Sequence, residues 1–374
     1  MRKWIKFLEI NFDKSRIYGL DILRAVSIFF VVMPHGNALL PANNPLTYFG
    51  FDGVAIFFVL SGFLIGKILI SILEQEKATP KTLLNFYVRR WFRTLPNYFL
   101  VFSTLVLLSL FLGNLNIDFK TEHVYLYIFF SQNLFTPHPN FFPEAWSLPV
   151  EEWFYLLIPA ILFSFVGIFR IPAKKTVLIT SVTILLFTVL FRYLRYTNIT
   201  VDTIYEWDIM YRKQVATRLD SLMFGVLGAY AAYYYKPQWV KHKYSLFFLG
   251  IVIIFAVKII GLLELHGYGI YFCVFSFSIT ATGILFLLPF LSEYKSGSGF
   301  IYKAITYTSI ISYSMYLINL SLVQQWMLKP LQILNLGEIQ YTVLRYLLYW
   351  LFTVIGSILL YKYFEKPFTD LREI

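Results

Sequence analysis

Residues 50–73 read GFDGVAIFFVLSGFLIGKILISIL, and Asp52 and Lys67 are the charged residues of this stretch. A helix crosses the ~30 Å hydrocarbon core of a bilayer with about 20 apolar residues, so this run has a suitable length. It lacks the alternation of apolar and polar residues that is typical of a membrane β-strand. A helix also satisfies its own backbone hydrogen bonds in lipid. The stretch therefore predicts a membrane-spanning helix.

The whole chain has the composition of an integral membrane protein. Of its 374 residues, 58% are hydrophobic and 14% are charged, and the mean hydropathy is +0.64; soluble domains have lower hydrophobic and higher charged fractions. We predict an all-α polytopic transmembrane helical bundle of about ten spans. The predicted spans are residues 17–35, 50–73, 94–112, 147–169, 176–194, 214–235, 244–263, 269–291, 304–328 and 341–361. Because the chain has no long hydrophilic segment, we expect residues 1–374 to form a single membrane domain with no appended soluble domain.

The basic residues indicate how these spans are oriented. The net charge is +11, and most of the 32 Lys and Arg residues fall in one set of alternate loops. Cytoplasmic loops carry an excess of Lys and Arg, so both termini are expected in the cytoplasm. Contact of these loops with membrane lipid accounts for the basicity. No nucleic-acid partner is therefore expected.

The first predicted span carries an arginine and a histidine in LRAVSIFFVVMPH, residues 23–35. Arg24 and His35 are separated by 11 positions, which places them on nearly the same helix face and ~16.5 Å apart along the axis. Asp21 is expected to pair with Arg24, because side chains three positions apart on a helix are neighbours. Ionisable residues within a membrane are costly and usually functional. The alternative is that His35 is an ordinary interfacial side chain.

Further ionisable groups are predicted at the same outer level as His35. They are Asp52 at the start of the second span, Glu151 and Glu152 in the fourth, and Arg218 and Asp220 in the sixth. Carboxylates near a histidine raise its basicity and fix its tautomer, as a general base requires. The alternative is a set of structural ion pairs, in which Arg218 binds Asp220 or Glu151.

Three arginines precede the third span on the predicted cytoplasmic side, within FYVRRWFRTLP, residues 86–96. Arg89, Arg90 and Arg93 suit a phosphate-bearing ligand, because a planar guanidinium donates two hydrogen bonds at once. The alternative is anchoring against anionic lipid. On the predicted outer side, residues 113–146 form a candidate platform for sugar rings, with aromatic side chains suited to the apolar faces of sugars. Its side chains are Asn133, Phe135, His138, Phe141, Phe142 and Trp146.

Seven segments, taken together and in this order, resemble the acyltransferase 3 family of membrane acyltransferases. They are LDILRAVSIFFVVMPH (20–35), GFDGVAIFFVLSGFLI (50–65), RRWFRTLP (89–96), WSLPVEEWFYLLIP (146–159), TRLDSLMFG (217–225), SYSMYL (312–317) and YFEKPF (363–368). The first segment contains the arginine and histidine, separated by ten residues, that form the signature of this family. The resemblance covers residues 17 to 368. Asn319 stands where the family frequently has histidine, so no catalytic role is carried over to it.

The resemblance implies an O-acyltransferase of the cell (inner or cytoplasmic) membrane. Such an enzyme moves an acyl group, usually acetyl, from cytosolic acyl-CoA to a hydroxyl of an extracytoplasmic glycan or glycolipid. Acetyl-CoA is then the expected acyl-donor substrate, and no metal is expected. The alternative function is a transporter or flippase of a lipid-linked saccharide or of acyl groups, because buried charges also mark transport routes.

The resemblance also implies roles for the candidate residues. The expected catalytic residues are His35, Glu151, Asp52 and Arg24. Among them His35 is the base, or a transiently acylated nucleophile; Glu151 or Asp52 orients its ring. Arg24 steadies the donor or the helix and does not transfer the proton. The CoA phosphates are expected at Arg89, Arg90 and Arg93, and the acceptor at Trp146, Glu152, Arg218 and Asp220.

Overall fold

The computed structural model describes residues 10, 16–41, 44–46, 50–75, 78–112, 123–263, 268–329 and 337–371. Within these residues the chain forms helices joined by short connections and contains no strand. The ten longest helices are α1 (Tyr18–Asn37), α2 (Gly53–Gln75), α3 (Pro80–Leu112), α4 (Ser147–Phe163), α5 (Ala173–Asn198), α6 (Leu219–Tyr234), α7 (Lys243–Leu262), α8 (Ser276–Glu293), α9 (Gly299–Ile318) and α10 (Glu338–Leu360).

Each of these ten helices overlaps one of the ten predicted spans, and the prediction of an all-α helical bundle is confirmed. Eight helical segments of the described residues are long and apolar enough to cross a membrane. The two helices outside this set are α6, which has 16 residues, and α9, whose sequence is rich in Ser, Thr and Tyr. Ten of the 16 residues of α6 and nine of the 20 residues of α9 are buried in the bundle, where neighbouring helices can bond polar side chains. The cytoplasmic location of the termini stays a prediction.

Several short segments extend or connect the long helices. They are the 3₁₀-helices Val124–Phe129 and Pro143–Trp146, the α-helices Ile204–Trp207, Lys236–Lys241 and Lys366–Asp370, and the π-helices Ser164–Ile168, Asp208–Arg212, Tyr271–Phe275, Asn319–Met327 and Tyr361–Glu365. π-helical turns are uncommon and often occur at functional sites. Two of them, Asp208–Arg212 and Asn319–Met327, contribute residues to the cavity described below.

Small residues allow α2 and α6 to pack with their backbones in contact. A Cβ atom added at Gly62 of α2 would overlap the carbonyl oxygen of Leu222 in α6. A Cβ atom at Gly225 of α6 would likewise overlap the carbonyl oxygen of Val59. Close packing of small residues is a main source of helix association in lipid, where burial of apolar side chains gives little advantage. This contact fixes the start of α2 beside the segment that precedes α6.

The ion pairs of the bundle differ from those expected from helical spacing. Asp21 accepts hydrogen bonds from Arg16 and from Ser309 Oγ, the latter at 2.7 Å, so Arg16, and not Arg24, is its partner. Arg192, near the end of α5, has a fully buried side chain. It pairs with Asp220 at 2.7 Å and joins α5 to α6.

Candidate functional site

A cavity of about 240 Å³ opens beside the C-terminal end of α1, and we call it the His35 cavity. It is bordered by α1, the first turn of α2, the segment before α4, the segment before α6, and the C-terminal end of α9. Its polar and aromatic lining includes His35, Glu144, Trp146, Arg212, Lys213 and Tyr316. Of the predicted site residues, His35 and Trp146 lie here.

A second cavity, of about 460 Å³, lies beside the N-terminal half of α1, and we call it the arginine cavity. Four arginines line it together with three acidic side chains. They are Arg16, Arg24, Arg90 and Arg93, with Glu151, Glu365 and Asp370. The structure thus brings Arg24 together with two of the three arginines predicted to bind phosphate. Arg89, the third, is exposed on α3 and does not line either cavity.

The two cavities share one wall, which is formed by Val54 and Tyr316. The hydroxyl of Tyr316 bonds Ser147 Oγ at 2.6 Å and donates to the backbone carbonyl of Glu144. These contacts hold the phenol ring between the cavities. Each of α1 and α9 runs from the arginine cavity to the His35 cavity, and α4 runs in the opposite sense. The two signature residues of α1 therefore face different cavities that meet at Tyr316.

The imidazole of His35 is held by Asn319, which the sequence analysis left without a role. His35 Nδ1 lies 2.6 Å from Asn319 Oδ1, and the backbone carbonyl of His35 accepts a hydrogen bond from Gln324 Nε2 at 2.9 Å. The expectation that Asp52 or Glu151 orients the ring requires correction. Glu151 faces the arginine cavity, where it accepts a hydrogen bond from Tyr155 at 3.2 Å.

Asp52 acts at the N-terminus of α2. Its Oδ1 accepts a hydrogen bond from the backbone N–H of Ala55 at 3.1 Å, the geometry of a helix N-cap. Its carboxylate also lies 3.6 Å from a guanidinium nitrogen of Arg218 and 3.8 Å from one of Arg212. Asp52 therefore reaches the His35 cavity through Arg212 and not by contact with the imidazole.

Arg212 is the best-anchored cation of the His35 cavity. Its guanidinium lies over the ring of Trp146, 4.9 Å from the centroid, and bonds Asp208 at 2.9 Å. Burial lowers the pKa of Arg212, but Asp52 and Asp208 raise it to a value above the usual one. Burial likewise acts to raise the pKa of Asp208, and Arg212 and Lys213 bring it below its usual value. Both partners are therefore charged at neutral pH.

Glu144 is a cavity residue that the sequence analysis missed. Its carboxylate accepts hydrogen bonds from the backbone N–H of Ser321 at 2.9 Å and from Ser321 Oγ at 2.6 Å. This contact ties the segment before α4 to the π-helix that follows α9. The sequence signal for Glu144 is its acidic side chain in FPEAWSLP, two positions before the WSLPVEEWFYLLIP segment.

The arginine cavity has its own hydrogen-bonded network. The guanidinium of Arg90 lies 4.7 Å from the ring centroid of Tyr155, whose hydroxyl also contacts Ser61 Oγ. Glu365, from the quoted YFEKPF segment, accepts hydrogen bonds from Asn97 Nδ2 at 2.9 Å and Ser314 Oγ at 2.5 Å. The C-terminal segment is thereby fixed against α3 and α9 and closes one side of the cavity.

Three residues predicted to contact the acceptor are buried in helix contacts and line neither cavity. Asp220 accepts hydrogen bonds from Arg192 at 2.7 Å and Ser278 at 2.6 Å. Glu152 accepts one from Thr94 at 2.9 Å. Arg218 is fully buried, with its guanidinium 4.5 Å from the ring centroid of Phe277. Neither Asp220 nor Glu151, the two partners expected for Arg218, has a carboxylate oxygen within 4.0 Å of its guanidinium nitrogens. Its ion-pair partner is Asp52.

The candidate aromatic platform packs inwards in its described part, residues 123–146. Five of the polar and aromatic side chains proposed for it are less than 9% exposed, namely Asn133, His138, Phe141, Phe142 and Trp146. Burial lowers the pKa of His138 to about 3, so this ring is neutral. Asn133 donates hydrogen bonds to the carbonyls of Trp146 and Lys213. The segment supports the His35 cavity, and its exposed aromatic rings include Tyr125, Phe129 and Phe135.

Comparison with known proteins finds relatives that are named as O-acetyltransferases. Similar proteins include the peptidoglycan O-acetyltransferase OatA of Listeria monocytogenes, with 32% identity over 166 residues, which cover 41% of this chain and 25% of that protein. The O-acetyltransferase OatA of Staphylococcus aureus is 34% identical over 172 residues, covering 43% of this chain and 27% of that protein. The putative peptidoglycan O-acetyltransferase YrhL of Bacillus subtilis is 34% identical over 169 residues, covering 42% and 25%. No solved structure matches the chain.

The aligned region is about a quarter of the length of these relatives. The model of the acyltransferase domain family, acyltransferase 3, matches residues 17–362. This match includes α1 to α10, the whole lining of the His35 cavity and most of the lining of the arginine cavity. The chain therefore belongs to the acyltransferase 3 family of membrane proteins.

Proposed function

We propose that this protein is a membrane O-acetyltransferase that transfers an acetyl group from cytosolic acetyl-CoA to a hydroxyl of a cell-wall glycan on the other side of the membrane. Membership of the acyltransferase 3 family supports acyl transfer. The names of two relatives support peptidoglycan as the acceptor. The distribution of Lys and Arg supports placing the arginine cavity towards the cytoplasm.

The arginine cavity is the proposed donor site. Arg90 and Arg93 supply guanidinium groups suited to phosphate. Arg89, which is exposed next to Arg90 on α3, would contact the exposed part of the nucleotide. Arg24 lies deeper along α1, where it would steady the pantetheine or the thioester. The thioester would then approach Tyr316, because this residue closes the end of the cavity nearest His35.

The His35 cavity is the proposed acceptor site. His35, which lines this cavity, is the proposed base for the acceptor hydroxyl. Arg212 offers a fixed positive charge at the cavity wall, of the kind that stabilises the oxyanion of a tetrahedral intermediate. Trp146 holds Arg212 in place through its ring face, and so contributes indirectly.

The proposed reaction is a direct transfer between the two substrates. The acceptor oxygen attacks the thioester carbonyl carbon while its proton moves to His35. The tetrahedral intermediate then collapses, the C–S bond breaks, and the departing CoA sulfur takes the proton from the imidazolium. The products are the O-acetyl ester and free CoA thiol, and the histidine returns to its neutral form. Burial of the site limits competition from water.

One observation carries this proposal above the others. The cavity that contains the phosphate-suited arginines and the cavity that contains His35 share the wall formed by Val54 and Tyr316. A donor and an acceptor that enter from opposite sides would meet at this wall. A transport route requires one substrate to pass through both cavities, whereas transfer requires only the acetyl group to cross Tyr316.

The test uses the purified protein in lipid nanodiscs with acetyl-CoA and soluble peptidoglycan fragments. We expect release of free CoA thiol that depends on the glycan, together with acetylated glycan detected by mass spectrometry. His35→Ala should reduce this rate by ~10²-fold or more, because general base catalysis contributes at least that factor. The matched control is His242→Ala, since His242 is exposed and lies far along the chain from both cavities.

Two results would contradict the proposal. The first is thiol release that is equal in the His35→Ala variant and in the unchanged protein. The second is movement of a fluorescent lipid-linked saccharide across vesicle membranes with no thiol release, which would favour the transporter or flippase alternative.

A further inference from the structure

The side-chain amide of Asn319 has one orientation that its neighbours allow. Its Nδ2 lies 3.0 Å from the carbonyl oxygen of Met315 and 2.8 Å from that of Tyr316. Carbonyl oxygens only accept hydrogen bonds, so the NH₂ group must face them. The reversed amide would place its own oxygen against both carbonyls. Oδ1 therefore points away from α9 and towards His35.

This orientation determines which nitrogen of His35 carries the proton. Asn319 Oδ1 can only accept a hydrogen bond, and His35 Nδ1 lies 2.6 Å from it. Neutral imidazole has one N–H group and one nitrogen with a free lone pair. Nδ1 must therefore be the donor, which leaves the lone pair on Nε2.

We propose that Asn319 is a positioning residue that locks neutral His35 in the Nδ1–H tautomer, so that Nε2 is the atom that accepts the proton of the acceptor hydroxyl. The catalytic part of this inference rests on the proposed function, whereas the tautomer rests on the hydrogen bonds alone. Asn319 thereby takes the part that a carboxylate plays beside many catalytic histidines. Because the amide is neutral, it fixes the ring without placing a negative charge beside the imidazole.

Other groups around the imidazole are consistent with this arrangement. The hydroxyl of Tyr349 lies 2.9 Å from the carbonyl oxygen of Val32 and 3.2 Å from Asn319 Oδ1. Both oxygens only accept hydrogen bonds, so the single hydroxyl proton is shared between them and the role of Oδ1 as an acceptor is unchanged. The charged and titratable groups of the cavity come from three further segments. They are Glu144 before α4, Arg212 and Lys213 before α6, and Tyr316 of α9.

The first experiment observes the tautomer without turnover. The full chain is labelled with ¹⁵N-histidine, reconstituted in lipid and studied by solid-state NMR at a pH where the ring is neutral. The chain has five histidines, and loss of one pair of signals in His35→Gln assigns the His35 ring. We expect a protonated Nδ1 and an unprotonated Nε2. A protonated Nε2 in the unchanged protein would overturn the inference.

The second experiment measures the catalytic consequence. Asn319→Leu removes the acceptor, and we expect kcat for acetyl transfer to fall by ~10²-fold or more because the wrong tautomer presents a proton to the acceptor hydroxyl. The KM for acetyl-CoA should stay nearly unchanged, since Asn319 lies outside the arginine cavity. Asn319→Asp keeps an oxygen at the same position, so it should retain more activity. In the profile of rate against pH for Asn319→Asp, the acidic limb should move to higher pH, because a carboxylate stabilises the imidazolium.

The matched control is Tyr349→Phe, which removes the neighbouring hydroxyl and leaves the Asn319 amide intact. This variant should keep the Nδ1–H tautomer and most of the activity. Equal loss of activity in Tyr349→Phe and Asn319→Leu, with no change in the pH profile of Asn319→Asp, would indicate a purely structural role and overturn the positioning role. If the tautomer is as expected but no donor is consumed, the proposed function fails and the tautomer assignment stands.

Discussion

At the scale of single residues, Arg212 is the side chain that most clearly separates catalysis from structure. Its guanidinium is fixed by Trp146 and Asp208 at the wall of the His35 cavity. We expect Arg212→Met to lower kcat/KM for the acceptor by ~10²-fold, the usual cost of removing one group that stabilises an oxyanion. The kcat/KM of Arg212→Lys should lie between those of the unchanged protein and of Arg212→Met, because lysine keeps the charge but loses the planar contact with the indole. Glycan-dependent thiol release measures the effect.

A control is needed because Arg212 also contacts two aspartates. Lys175→Met removes an exposed positive charge at the start of α5, remote in sequence from the His35 cavity, and should leave the rate unchanged. A thermal melt of each variant in the same lipid would report loss of folding. Full activity in a well-folded Arg212→Met variant would exclude an electrostatic role for this arginine.

At the scale of helices, the contact between α2 and α6 depends on the absence of side chains at Gly62 and Gly225. Gly62→Ala should destabilise the protein by about 1–3 kcal/mol, the usual cost of overpacking a close contact, because the new methyl group overlaps the Leu222 carbonyl. The loss should appear as a lower midpoint of thermal unfolding. Gly261→Ala is the matched control, since the nearest atom to its new Cβ would lie 4.0 Å away. Equal midpoints for the two variants would show that α2 and α6 can separate at no cost.

At the scale of the whole molecule, the wall between the two cavities is expected to keep water from the thioester. Tyr316→Ala should join the cavities and raise the rate of acetyl-CoA hydrolysis in the absence of glycan severalfold, because water then reaches the donor. Thiol release without acceptor measures this leak. The control is Tyr361→Ala, since Tyr361 lines the arginine cavity but not the shared wall. An unchanged leak combined with normal transfer would show that Tyr316 is not the barrier.

Several site residues lie in the region predicted from the sequence, whereas others make contacts that differ from the predicted ones. Arg90 and Arg93 line one cavity and His35 lines the other, in agreement with their order along apolar helices. Glu151 and Asp52 were predicted at one level, but Glu151 lines the arginine cavity, whereas Asp52 caps α2 and contacts Arg212 of the His35 cavity. Helical periodicity predicts the face on which a residue lies, but it does not predict which helix packs against that face.

The sequence by itself determined the helical membrane architecture, the ten long helices and the placement of Arg24 and His35 on one helix. These features depend on local runs of apolar residues and on spacing within one helix, which the chain carries in every context. Only the tertiary structure decided that His35 binds Asn319, because these residues are 284 positions apart. It likewise decided that Tyr316 divides two cavities and that Asp220 binds Arg192. Such contacts depend on which helices pack together, and a single sequence does not specify helix neighbours through any local pattern.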